Sequence, residues 1–299
     1  MWFTLSVASL LLATGVRLLQ KDFVRHNPTM NAFRINWLAF AVSMPVVVVL
    51  IAQNIHRIER LSGAFWLVLT AVVLGFYPVV NYLYFSVIRR NELSDVLPLL
   101  GLIPIWTALF GWLFLDQHPS RLALTGIIFI SASLYSLELQ QSKTWYEPFR
   151  ALTSSYKARA VGVVSLITAV AAIGDKYAIE RSSSSIYFAL NSLGAIIILV
   201  IADLIFSWRQ HPKPRYKFEH LPTSQWRLLF YLGLVLLGGQ LMGFIASNVT
   251  VNTSYTIAIR NLSIVVASLL ALVLYRESVN RYKFLCYGLS ALGVVMIAL

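Results

Sequence analysis

The spacing of charges most narrows what this chain can fold into. Nine stretches carry no Asp, Glu, Lys or Arg: 1–16, 35–56, 61–88, 96–115, 122–137, 160–174, 182–202, 228–259 and 284–299. A tenth, 261–275, is parted from the eighth only by Arg260. Soluble domains place a charge at about one residue in four. Here the charged fraction is 12% and the hydrophobic fraction 58%. In a bilayer each backbone N–H and C=O must be satisfied within its own segment, so such runs become helices. About 20 apolar residues cross the hydrocarbon, fewer where basic ends reach back to water. The run 228–259 is too long for one helix, and its polar patch N-V-T-V-N-T-S, Asn248 to Ser254, divides it. The chain reads as an all-α integral membrane protein with ten transmembrane helices.

The chain also reads as one unit written twice. Residues 91–116 and 252–277, 161 positions apart, share a plan: a polar turn, an apolar length, an acidic stop (Asp116, Glu277) and then a basic residue (Arg121, Arg281). The first and sixth helices both close on glycine followed by charge, at Gly15–Arg17 and Gly174–Lys176. The second and seventh each hold an asparagine, Asn36 and Asn191. The order of features carries the likeness, since few residues are identical. We expect a five-helix repeat over 1–140, a polar linker over 141–158 and a second repeat over 159–299. An odd number of helices per repeat inverts the second relative to the first, as in many secondary transporters. Lys and Arg then orient the chain. Connections after odd-numbered helices hold 18 of them; the others hold Arg57, Arg60, Arg121 and Arg181, with Lys176 and Arg260 set aside. Both termini are therefore expected outside the cytoplasm. The opening M-W-F-T-L-S lacks the basic start of a cleaved signal and reads as the first membrane helix.

Arg260 is the sharpest candidate for function. It lies about 10 Å into the ninth helix, where a charge is costly and is paired, cavity-facing or functional. It either pairs with an acid such as Glu92, Asp95 or Asp175, or holds the carboxylate or phosphate of a solute through bidentate hydrogen bonds. Asn261 beside it points to a different face. Asp175 and Lys176 close the sixth helix, as an interfacial ion pair or as a coupling acid and a second anchoring cation. Asn36, Asn81, Asn191 and Gln240 are helix amides that either bridge helices or contact solute, Asn36 and Asn191 ranking higher for their matching places. Tyr77, Tyr82, Tyr84, Trp106, Tyr187 and Tyr255 either anchor at the interface or line a cavity. Pro78, Pro98 and Pro104 mark the third and fourth helices as kinked, and irregular backbone at depth borders cavities.

The single cysteine, Cys286, forms no intrachain disulfide, and the five histidines are scattered through connections, so no metal site or cofactor is expected. No HExxH, GxSxG or P-loop occurs, which argues against an enzyme. The net charge of +12 sits between apolar runs and reflects topology rather than nucleic-acid binding.

Ten helices in two halves, acidic stops after the fourth and ninth, and glycines in the helices that follow (Gly126, Gly288) resemble the drug/metabolite transporter superfamily, in its EamA-like branch. Arg34 opening the second helix and Pro104 in the fourth match as well. The chain departs from that pattern with Leu115–Asp116 and Arg276–Glu277 at the acidic turns, and with Ile259–Asn261 where a proline is usual. The resemblance implies a secondary active transporter of a small polar metabolite, such as an amino acid or organic anion. Alternating access would run through a central cavity between the repeats, in the inner or plasma membrane. Its partners would be the solute, the bilayer and a proton or counter-substrate, with homodimer formation through the small-residue helices open. The alternative is a non-transporting membrane subunit or lipid-handling partner of a membrane enzyme complex.

Overall fold

A computed structural model describes residues 1–27, 30–88, 97–138, 146, 156–210, 222–275 and 281–299. Most of the 141–158 linker, the connection after the seventh helix, Glu92, Asp95, Arg276, Glu277 and the Asn81 and Tyr84 side chains lie outside the described residues.

Helices make up every regular element among them. They are α1 (Trp2–His26), α2 (Ala32–Ala41), α3 (Met44–Ile58), α4 (Gly63–Ile88), α5 (Ile103–Leu115), α6 (Arg121–Glu138), α7 (Tyr156–Glu180), α8 (Ser184–Gln210), α9 (Thr223–Val249), α10 (Thr253–Asn261), α11 (Ser263–Tyr275) and α12 (Arg281–Ala298). A 3-10 helix, Leu97–Leu102, leads into α5. Five of these, α1, α4, α7, α8 and α9, are long and apolar enough to cross a membrane, or six spans if α2 and α3 count as one. The stretches Leu100–Leu115, Arg121–Ser136 and Phe284–Ala298 are apolar but shorter. Ten full-length spans are thus more than length and composition give.

Several runs break for local reasons. The run 35–56 bends by 57° between α2 and α3. Pro45, in the first turn of α3, has no N–H for the carbonyl of Ala41, and its ring clashes there. Ser43 Oγ donates to Phe40 O at 2.6 Å and closes the end of α2. The fourth run winds as 3-10 helix up to Pro104, in the first turn of α5. It stops at Asp116, which adopts a left-handed φ of 52° while Gln117 N–H returns to Gly111 O. Asp tolerates that region better than most residues, which suits it to an acidic stop. The ninth expected helix breaks at Leu262, between α10 and α11, directly after Arg260 and Asn261.

Two ends of the bundle follow from the contacts. At one, Asn27 Nδ2 at the close of α1 donates to Gln225 Oε1 at the start of α9, and Arg34 meets Asp203 late in α8. At the other, the close of α9 meets the last turns of α7, and Gln117 meets the start of α10. Trp2 packs on Tyr255 at this second end, ring centroids 5.9 Å apart. So α1 runs from the second end to the first, and α7 runs the opposite way. Within the bundle α1 packs on α9, α4 on α7, α2 and α3 on α8, α5 on α10, and α6 on α12. One core joins Phe40, Phe65, Tyr77, Tyr187 and Phe244; another joins Leu10, Ile127, Ile130, Ile259 and Leu262. Large apolar side chains also face outward, among them Leu67, Phe114, Trp208 and Leu285. In water such a surface would drive association; against lipid it costs nothing.

At the α6·α12 crossing two glycines face each other. A Cβ on Gly126 would lie 2.6 Å from Gly293 O, and one on Gly293 would lie 2.7 Å from Gly126 O. These small residues are spent inside one chain, with backbone against backbone. Ser133 Oγ adds a hydrogen bond to Cys286 O at 2.6 Å.

Candidate functional site

Five helices, α4, α7, α8, α9 and α10, bring polar side chains together. Asp175 sits near the end of α7, and Tyr187 and Asn191 occupy one face early in α8 (i, i+4). The Tyr187 hydroxyl donates to Asp175 Oδ1. Asn191 Nδ2 donates to the Tyr77 hydroxyl at 2.8 Å, and the Gln240 side chain of α9 hydrogen-bonds the same oxygen. Arg260, in the last turn of α10, interacts electrostatically with Asp175 and Tyr77 and feels Arg17 as a like charge.

Local packing fixes this geometry. The Tyr77 ring meets Phe40 edge-on at 5.6 Å and Phe76 at 5.3 Å. Tyr187 is held by Phe244 at 5.1 Å and Phe65 at 6.4 Å, so both phenols are aimed by aromatic walls. Arg260 lies over bare helix: a Cβ on Gly243 would stand 3.4 Å from its Nη1 and 3.1 Å from Ser9 Oγ. Asp175 and Arg260 are surrounded by protein yet keep some accessible surface.

The network is not saturated. Asn191 Oδ1, Gln240 Oε1 and Ser192 Oγ are buried with no hydrogen-bond partner in the protein. Buried polar atoms without partners are rare and costly, so each calls for an absent partner such as water or solute. Ser192 and Gln240 share a tight crevice with Phe40, Ser43 and Gly233. Chemically, the site offers one guanidinium, one carboxylate, two phenols and two amides inside an apolar bundle.

Of the candidates read from sequence, the structure gathers Tyr77, Asp175, Tyr187, Asn191, Gln240 and Arg260 here. The others lie elsewhere. Asn36 Oδ1 accepts from Gln20 Nε2 at 3.4 Å, between α1 and α2. Asn261 follows Arg260 into the α10–α11 break. Tyr82 is half exposed on an apolar crevice of about 380 Å³ with Phe33, Pro78, Val79, Ala202, Ile205 and Phe206. Trp106 stacks on Phe110 along α5 at 6.4 Å. Lys176 is buried, and its ammonium donates to Ser247 O at 2.7 Å and Thr250 O at 2.8 Å, with Glu180 at 3.2 Å. Its charge thus closes the C-terminal end of α9, where a cation suits the helix dipole.

Asp203 escaped the sequence reading. Its Oδ1 accepts from Asn31 Nδ2 (3.0 Å) and Ser207 Oγ (3.2 Å), and its Oδ2 from Arg34 Nε (3.0 Å) and Trp37 Nε1 (3.2 Å). The signal was there: an acid inside I-A-D-L-I-F is apolar-flanked on both sides. It had served only to mark the end of a charge-free run.

Comparison with known proteins now bears on this arrangement. A crystal structure of a protein 14% identical to the chain superposes with a TM-score of 0.73, covering 99% of this chain and 95% of that one, a likeness of fold. No curated protein matches the sequence at comparable significance. The profile of the EamA-like transporter family matches residues 1–138 and again residues 160–299. With its apolar helices the chain is a multi-pass membrane protein, and by that double match it belongs to the EamA-like transporter family.

Proposed function

We propose that this protein is a secondary active transporter of a small polar solute, working by alternating access between two inverted five-helix repeats, 1–140 and 159–299. The solute binds at Tyr77, Asp175, Tyr187, Asn191, Gln240 and Arg260. One observation carries the reading: a guanidinium and a carboxylate lie inside an apolar bundle beside amide oxygens that have no protein partner. A packed structural core has no use for such groups, whereas a binding site satisfies them when solute arrives. The opposed directions of α1 and α7 support the inversion, as does the exchange symmetry of the contacts. α1·α9 mirrors α7·α4 when each helix is replaced by its counterpart in the other half. Counting α2–α3, the 3-10 turn with α5, and α10–α11 as broken spans gives five per half. The excess of Lys and Arg on one side places the termini outside, in the inner or plasma membrane.

Arg260 supplies the anchor for a carboxylate or phosphate, and Asp175 is the group at which a proton or an amine would couple to the cycle. The test is thermal unfolding of detergent-purified wild type and Arg260→Gln against matched carboxylates, phosphates, amines and amino acids. A solute at 100 times its Kd stabilises by about 2.7 kcal/mol. An acidic solute that stabilises wild type and loses most of its effect in the variant supports the assignment. Equal stabilisation of both removes Arg260 from the site. A panel without any binder would favour a non-transporting membrane subunit.

A further inference from the structure

Of the polar contacts between the halves, two clusters stand at the ends and differ in kind; Asn27 Nδ2 to Gln225 Oε1 adds a neutral bond at the first end. At the first end the Asp203 carboxylate, 4% exposed on α8, is gripped by three donors from the first half: Asn31, Arg34 and Trp37. Asn31 also caps α2 by accepting from Phe33 N–H at 3.1 Å, so its position is fixed from both sides. Among the described residues this is the one ion pair that joins the two halves; the others lie within a helix or a turn. At the second end the joint is uncharged. Gln117 Oε1 accepts from Thr253 N–H at 2.9 Å, Gln117 Nε2 donates to Thr253 Oγ1 at 3.2 Å, and Ser120 N–H reaches the Tyr255 hydroxyl at 3.3 Å.

We propose that Asp203 with Asn31, Arg34 and Trp37 is the latch that holds the first end shut, released once in each cycle, and that Gln117 with Thr253 is the weaker latch of the second end. This rests on the transport reading above. Alternating access requires each end to part while the other stays joined. Hydrogen bonds to ionised groups are about twice as strong as neutral ones, so the two ends do not open with equal ease. The resting bundle therefore favours closure at the Arg34–Asp203 end. Both partners are charged, so water flooding the gap solvates them and makes the joint reversible rather than permanent. The bend at Pro45 lies one α2 length from Arg34, and it gives α2 a hinge about which to swing away from α8.

The experiment reads accessibility without any solute. Cys286→Ser removes the native thiol, and Ser192→Cys places a reporter of nearly the same size about 17 Å along α8 from Asp203. A membrane-impermeant maleimide is applied to each face of sealed vesicles, in this background and with Asp203→Asn or Gln117→Ala added. Asp203→Asn keeps the shape but weakens the grip of Arg34, and is expected to raise labelling from the first end by about tenfold or more. Gln117→Ala is expected to raise it only from the opposite face. Unchanged labelling in a folded Asp203→Asn protein overturns the proposal, as does equal labelling from both faces. Should Asp203→Asn fail to fold, Arg34→Gln with Asp203→Asn, which leaves no unpaired charge, gives the same readout. A bis-maleimide bridge between Asn31→Cys and Ser207→Cys should abolish first-end labelling, and continued labelling across the bridge would also overturn it. Solute protection of the reporter tests the transport reading separately: labelling that follows the latch while no solute protects defeats that reading alone.

Discussion

Adding one methyl group at two glycines of the same pair of helices should have opposite effects. A Cβ on Gly126 would stand 2.6 Å from Gly293 O, 3.0 Å from Ile297 Cγ1 and 3.1 Å from Met296 Cβ. A carbonyl oxygen cannot swing aside as a side-chain end can, so α6 and α12 must move apart. Overpacking of this kind costs about 1–3 kcal/mol, and the separation also loosens Ser133 Oγ to Cys286 O. A Cβ on Gly288, in the same α12, meets nothing within 4 Å. There only helix propensity acts, favouring Ala over Gly by about 0.8–1 kcal/mol. Gly126→Ala gains the same propensity but bears the clash, so it is expected to destabilise by up to about 2 kcal/mol and Gly288→Ala to stabilise, a gap of about 1–3 kcal/mol. Thermal unfolding in one detergent reads this as two transitions on opposite sides of wild type. Identical transitions, or a Gly126→Ala protein at least as stable as wild type, would refute the backbone contact between the helices.

Four further substitutions check the polar groups. Lys176→Met strips the donor from Ser247 O, Thr250 O and Glu180, and should lower stability by at least about 2 kcal/mol. The stabilisation that a bound solute adds should survive it; loss of solute binding at full stability would return Lys176 to the binding site. Tyr187→Phe removes the donor to Asp175 and should cost about 1–3 kcal/mol, while Asp175→Asn, still able to accept, should cost less. Equal costs in urea titration would argue that Asp175 is held by something else. Gln117→Ala uncaps α10 and should cost about 1 kcal/mol, read by the same titration; a neutral result would mean that water replaces the amide.

Much of the fold was legible because in a bilayer the absence of charge is itself structural information. The charge-free runs became helices, and the patch at Asn248–Ser254 fell between α9 and α10. Breaks within runs were harder to see. Pro45 bends α2 against α3 yet sits among valines, and nothing local distinguishes it from a tolerated kink. The site was half legible. Arg260 and Asp175 declared themselves by charge, and Asn191 and Gln240 by polarity at depth. Tyr77 and Tyr187 read only as two of several aromatics that anchor at the interface or line a cavity, because their roles come from the partners their hydroxyls meet across helices. Lys176 illustrates the converse: a buried ammonium suggested solute, but the carbonyls it meets belong to α9, 71 and 74 positions away in sequence.

The Gly126–Gly293 crossing has a mechanical consequence. Wherever halves are joined by side chains they can part by a change of rotamer, and two such joints close the ends of this bundle. Backbones in contact have no rotamer to change, and parting them gives up the close van der Waals packing of the two helices. On the transport reading proposed above, the α6·α12 seam would be the fulcrum about which the halves turn as levers, with motion least along the seam and greatest at the far side of the molecule.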